Sequence, residues 1–297
     1  MRKGVKSVSG GEIDPAWVEF RRSLRKFCRN PLGVFGAAIL FGMVVVAILA
    51  PFIRPFPHGY GDFMSISQPP SWKYPFGTDD LGLDIFAQVV WGTRVTMAVG
   101  FGATALSLLT GVPLGLFAAY YKGSVDAFIS GVIDIFLSLP ILPLMIMLGA
   151  VLGPSLTNVS IVIGVFSWPA VARVVRGQAL LVSEQLYTEA ARALGAKNGR
   201  ILIRYMLPNV APVIIVNMVL TIASAVLSEA GLSFLGLGDP TQWSWGRILE
   251  NAHASGAFVT AWWHTLFPSV AIMLLVMSAN FFGTAMNEVL NPKLKGR

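Results

Sequence analysis

The sequence predicts an all-α polytopic membrane protein with six transmembrane helices. Three observations carry this. Only 12% of the 297 residues are charged, about half the share of a soluble domain, while 55% are hydrophobic and the mean hydropathy is +0.67. Charge-free runs cover residues 30–53, 95–121, 135–172, 205–228 and 251–287, each longer than the roughly 20 residues a bilayer-spanning helix needs. The cations are also gathered in a few segments between those runs.

The elements follow in order. Residues 1–30 form a polar tail with eight Lys and Arg, in which Trp17, Phe20, Leu24, Phe27 and Cys28 recur at helical spacing. That pattern suits a basic amphipathic helix lying on the lipid surface. No cleavable signal is expected, because the first apolar run begins late and has the length of a span. Cys28 is the sole cysteine, so no internal disulfide forms. The first span is expected near 33–53. The stretch "FGTDDLGLDIF" (76–86) brings Asp79, Asp80 and Asp84 together without the ligand spacing of a calcium loop. It reads instead as an amphipathic entry to the second span, near 94–119, with Thr78 or Asp79 as N-cap. The run 135–172 is too long for one helix, and "GPSLTN" (153–158) divides it into spans near 127–151 and 159–180. The fifth and sixth spans are expected near 209–231 and 265–287. Pro113, Pro140, Pro143, Pro169, Pro212 and Pro268 fall within spans, where proline kinks or unwinds a helix.

With these spans, the tails, the segment between spans two and three, and the segment between spans four and five, counted with Arg173 and Arg176 at the end of the fourth span, hold 18 of the Lys and Arg residues. The opposite side holds four: Arg54, Lys73, Arg94 and Arg247. Cationic loops stay in the cytoplasm, so both termini are expected there. The net charge of +7 is then topogenic, and nucleic acid is excluded as a partner.

Catalytic chemistry is hard to find. No G-x-x-x-x-G-K-[ST] phosphate loop is present, and His58, His253 and His264 lack metal-ligand spacing. An intramembrane enzyme is therefore disfavoured, and no metal or cofactor is expected in this chain. Polar residues do recur inside spans. Asn217, Thr221, Ser224 and Ser228 are spaced 4, 3 and 4 along the fifth span, and Asn280, Thr284 and Asn287 share a face of the sixth, with Ser269 near the same line. Such groups avoid lipid and face either a water-filled path or neighbouring helices. Asp134 and Glu229 are costlier, at about 2.5–3.5 kcal/mol for a mid-membrane carboxylate. Contact with substrate or a pair with a neighbouring subunit would each account for them.

The loop 183–208 holds Arg192, Lys197, Arg200 and Arg204. Within it Tyr187, Ala190, Ala191 and Leu194 recur at i, i+3, i+4 and i+7, a single apolar face on a short helix. Gly195 supplies a C-terminal stop and Asn198 with Gly199 a turn. A second short helix is expected from Arg200 until Pro208 resets the chain for the fifth span. Alone, this pattern fits either a polar helix-turn-helix connector or a docking element.

The loop sequence "TEAARALGAKNGRILIRYMLP" (188–208), with Glu189, Ala190, Ala191 and Gly195 followed by Leu207 and Pro208, resembles the EAA loop of ABC importer permeases. Tyr205 stands where that pattern often has Ile. "FGTDDLGLDIF", "VDAFISGVIDIFLSLP", "SWPAVARVVRGQ", "LSEAGLSFLGLG" and "WSWGRIL" resemble the C-type permease of dipeptide and oligopeptide importers, with Leu83 where that group commonly has Arg. The resemblance implies a type I permease domain over 31–297, in a bacterial inner membrane, that forms half of a pore with a homologous B-type permease. It implies two cytoplasmic ATPases that bind ATP and Mg²⁺, and an external solute-binding protein. The loop residues Tyr187, Glu189, Ala190, Ala191, Leu194 and Gly195 would couple to an ATPase, and Asn217, Thr221, Ser224, Ser228, Asn280 and Thr284 would line the pore. Related systems carry nickel, glutathione or opines. A self-sufficient secondary carrier is the alternative.

Overall fold

A computed structural model describes residues 25–290 apart from 58 and 60, and regular structure among the described residues is helical. Most of the proposed amphipathic tail helix lies outside that range, as do the cations of the C-terminal tail.

Helix α1 (Pro31–Ile53) starts at Asn30, whose side chain accepts from the Gly33 N–H at 3.0 Å, with proline in the first position. It is apolar all round, and only Gly33, Gly36 and Ala50 are buried. Phe41 and Phe52 stand 71% and 84% exposed, the face of a helix that meets lipid rather than a protein core.

Helix α2 (Ile85–Tyr121) is capped by Asp84, which accepts from the Phe86 N–H at 2.9 Å. The expected caps, Thr78 and Asp79, are used elsewhere. Asp79 closes its own turn, accepting from the N–H groups of Leu81 (2.9 Å) and Leu83 (2.8 Å) and from the Gln88 amide. Thr78 Oγ1 accepts from the Gln68 N–H at 2.8 Å and donates to the Ser65 carbonyl. A buried Asp satisfied by nearby N–H groups prefers such a turn to a helix start. Burial still pushes the Asp79 carboxyl above the ordinary carboxylate range, partly offset by these hydrogen bonds.

The expected third span is broken. Helices α3 (Gly123–Ser138) and α4 (Ile141–Leu152) meet at 85°. Pro140 forces the residue before it out of the helical region, and Leu139 is extended at ψ 149°. The described chain thus has five unbroken apolar helices, and six spans if the bent pair crosses as one.

Helix α5 (Leu156–Ser183) makes its main packing against α2. Two glycines allow it: a Cβ on Gly111 would lie 2.7 Å from the Trp168 carbonyl oxygen, and one on Gly115 2.7 Å from that of Ala172. Small residues four apart let membrane helices approach backbone to backbone.

Short helices α6 (Leu186–Ala193) and α7 (Asn198–Ile201) follow. A π-helical segment (Leu202–Met206) then runs directly into α8 (Leu207–Phe234). Pro208 was expected to reset the chain here. It does not: Pro208 stands in the first turn of α8, directly after the π segment, and Asn209 Nδ2 donates to the Tyr205 carbonyl at 2.6 Å. Helix α7, the π segment and α8 form one helical body of 37 residues, Asn198–Phe234.

Helices α9 (Trp245–Ala254) and α10 (Ala257–Thr260) form a cap before α11 (Trp262–Leu290). The cap end is pinned by three indoles. Trp243, Trp245 and Trp263 donate their N–H to the carbonyls of Pro57 (2.7 Å), Val89 (3.1 Å) and Thr78 (3.2 Å). Their rings fill a core with Leu83, Ile85 and Ile248, so Leu83 is an interior residue here. A second core at the opposite end joins Leu116, Tyr120, Val175 and Val182 to Ile201, Leu202 and Met206, seating the loop on α2 and α5.

Candidate coupling loop and transport path

The loop helix α6 is held from beneath. Thr188 is buried and its Oγ1 donates to the Val182 carbonyl at 2.9 Å. Ala191 is buried as well, which corrects its expected place on a free docking face: it faces the chain's own body. The face that remains open carries Leu186 (83% exposed), Tyr187, Glu189, Ala190 and Leu194 (88% exposed). Leucines this exposed on a short helix beyond the spans need a covering surface, since water disfavours them.

Gly195 ends the helix as expected. Its φ is +78°, its N–H reaches the Arg192 carbonyl at 3.0 Å, and the Ala196 N–H reaches the Ala191 carbonyl at 3.0 Å. These are the paired bonds of a Schellman cap. Two further contacts join the loop to α2. Tyr120 Oη donates to Asn198 Oδ1 at 2.9 Å, and the Arg192 guanidinium lies 5.2 Å from the Tyr120 ring centre.

Of the polar stripe on α8, Ser224 is exposed and Asn217, Thr221 and Ser228 are half-buried. On α11, Asn280, Thr284 and Asn287 are exposed, and Ser269 is half-buried. The two asparagines at 217 and 280 donate to carbonyls one turn back, Val213 (2.9 Å) and Val276 (2.8 Å). Both stripes therefore lie at the surface of this subunit and not in its core, open to a partner or to water.

The two intramembrane carboxylates part company. Glu229 is an interior residue that accepts from Thr96 Oγ1 (3.2 Å) and Ser233 Oγ (2.6 Å), while Thr96 Oγ1 accepts from the Trp245 N–H at 3.3 Å. This network ties α2, α8 and α9. Asp134 is exposed and ion-paired with Arg173 of the same chain. One helix turn away on α5, Arg176 grips Asp126 with two nitrogens, Nη2 at 2.7 Å, and Lys122 meets Glu184 at 3.2 Å. Sequence reading singled out Asp134 alone. Its partners were signalled by acids eight apart on α3 facing arginines three apart on α5.

Comparisons with known proteins agree with this architecture. Residues 111–296 match the family of binding-protein-dependent transport system inner membrane components, and residues 19–70 match the N-terminal transmembrane domain of oligopeptide transport permease C. The dipeptide transport system permease protein DppC of Alkalihalophilus pseudofirmus is 37% identical over 93% of this chain and 90% of its own length. The glutathione transport system permease protein GsiD of Escherichia coli is 37% identical over 97% and 94%. Two inward-facing crystal forms of the MetNI methionine ABC transporter share the fold, with TM-scores of 0.54 and 0.57 at 22% identity over 69% and 70% of this chain. Matched family regions at both ends and relatives aligned almost from end to end leave one assignment: the chain belongs to the binding-protein-dependent transport system inner membrane components, as a multi-pass permease subunit of an ATP-binding-cassette importer of the dipeptide and oligopeptide type.

Proposed function

We propose that this subunit sits in a bacterial inner membrane with both termini in the cytoplasm, pairs with a B-type permease, and carries small peptides or a related solute such as glutathione. ATP and Mg²⁺ are bound and the ATP hydrolysed by two cytoplasmic ATPases, and an external binding protein delivers substrate. The observation that carries this reading is the open face of α6. Leu186, Tyr187 and Ala190 lie on a short helix outside the spans and Leu194 caps its end, and the turn at Gly195 links that helix to the unbroken Asn198–Phe234 body that includes the fifth span. Force applied by a closing ATPase would travel along that body into the membrane. The expected docking set shifts accordingly: Tyr187, Glu189, Ala190, Leu194 and Gly195 meet the ATPase, joined by Leu186, while Ala191 supports them from below. Purification from native membranes in mild detergent tests the assembly. The expected result is a complex with one homologous permease and two ATPases, and recovery of the chain without any ATPase would contradict it.

A further inference from the structure

The Asp134–Arg173 pair is out of place for a lipid-facing surface. Its two side chains are 67% and 54% exposed, yet both lie deep in their helices. Arg173 stands ten residues before Ser183, the loop end of α5, and Asp134 eleven residues after Gly123, where α3 begins. At about 1.5 Å per residue, each is roughly 15 Å from the loop end. Charged groups at such depth face protein or water, not hydrocarbon.

The surroundings point to water. Along the seam between α3 and α5, three ion pairs climb from the loop end inward: Lys122–Glu184, Asp126–Arg176, and finally Asp134–Arg173. The middle pair is sheltered, and the innermost opens again. One turn to either side on the same helix faces the exposed residues are small or polar, Gly131 and Ser138 on α3 and Ala170 and Gly177 on α5, while the flanking Ile135 and Val174 are exposed as well. A Cβ on Gly131 or Gly177 would meet nothing within 4 Å. One turn beyond Asp134 the chain swings away by 85°, which ends the seam.

We propose that Asp134 and Arg173 line an aqueous vestibule open to the cytoplasm and hold, in passing, the ammonium and carboxylate of a zwitterionic substrate. This deepens the peptide-importer reading and rests on it. The chemistry favours such an exchange. Arg173 presents a planar fork that accepts a substrate carboxylate in place of that of Asp134, and the released Asp134 takes the substrate ammonium. Each charge trades one partner for another and none is left bare, so substrate is held without being trapped. Binding strong enough to enter and weak enough to leave is what a transport path requires.

The test uses the complete transporter in proteoliposomes, with Cys28→Ser as background. Cysteines from Asp134→Cys and Arg173→Cys are exposed to a membrane-impermeant methanethiosulfonate sulfonate from the ATPase side, and the adduct is read by the mass of this chain. Both should react in the nucleotide-free state and at least tenfold more slowly when ATP-bound ATPases are trapped with vanadate. No reaction in either state would bury the pair against the partner permease and overturn the proposal. In parallel, Asp134→Asn and Arg173→Gln should each assemble with the partner permease and both ATPases and lower dialanine uptake tenfold or more. Unchanged uptake in both variants would also overturn it. If the unsubstituted transporter takes up no dialanine, the peptide reading of function fails, and the labelling result alone decides whether the pair lines the path.

Discussion

Tyr120 at the end of α2 donates a hydrogen bond to Asn198 in the loop at 2.9 Å, so the longest described helix is tied to α7, the start of the body that runs into the fifth span. Its ring also underlies Arg192. Tyr120→Phe keeps the ring and deletes only the donor. A neutral hydrogen bond contributes about 1 kcal/mol net, a factor of roughly five in the local equilibrium. Substrate-stimulated ATPase activity should fall by no more than about that factor, with uptake falling in parallel, when the two rates are measured in the same proteoliposomes.

Glu229 gives a different expectation. Glu229→Ala would strand Thr96 and Ser233, and an unpaired buried polar group costs about 1–3 kcal/mol. The melting temperature of the purified complex in detergent should drop clearly for Glu229→Ala and little for Glu229→Gln. Selective loss of uptake with an unchanged melting temperature would instead put Glu229 in contact with substrate.

For the polar stripe of α8, Trp at Thr221 and Ser224 should slow uptake while the complex still assembles. Ser224 is exposed and Thr221 half-buried, so on a path-lining face the larger side chains would project into the path. Full uptake in the double variant would assign this face to partner packing.

Orientation is checked by single cysteines on the Cys28→Ser background. Ser71 and Gln242 lie at the end capped by the three indoles, and Lys197 lies at the loop end. An impermeant thiol reagent added outside cells should label the first two positions and spare the third. Labelling of Lys197 would invert the topology.

Much of this was legible in the sequence because bilayer physics demands long apolar helices. Five expected spans match observed helices in place, although α2 begins at Ile85, well before the expected start near residue 94. The loop was legible as well, since Gly195 marks a cap by local conformation. What was not legible depends on three-dimensional neighbours. Pro140 breaks the third span while Pro113, Pro169, Pro212 and Pro268 sit inside continuous helices, and the proline residue itself looks the same in each case. Ala190 and Ala191 are adjacent alanines, yet only packing beneath the loop decides that the second turns inward. Asp134 and Glu229 likewise separate only once Arg173, Thr96 and Ser233 are brought beside them.

The coupling role of the loop is the central claim, and Gly195 tests it most directly. Nothing lies within 4 Å of a Cβ built at this position, so Gly195→Val creates no clash. Its effect comes from the φ of +78°, a conformation that costs a branched residue about 1 kcal/mol or more. Glu189→Lys keeps α6 helical and reverses a charge on its open face, and Lys197→Arg serves as a silent control. The measurement is uptake together with substrate-stimulated ATPase activity in proteoliposomes of the complete transporter. The account predicts that Gly195→Val and Glu189→Lys lose both activities together while the two permeases remain paired. Wild-type uptake by both variants would contradict it and reduce the loop to a linker.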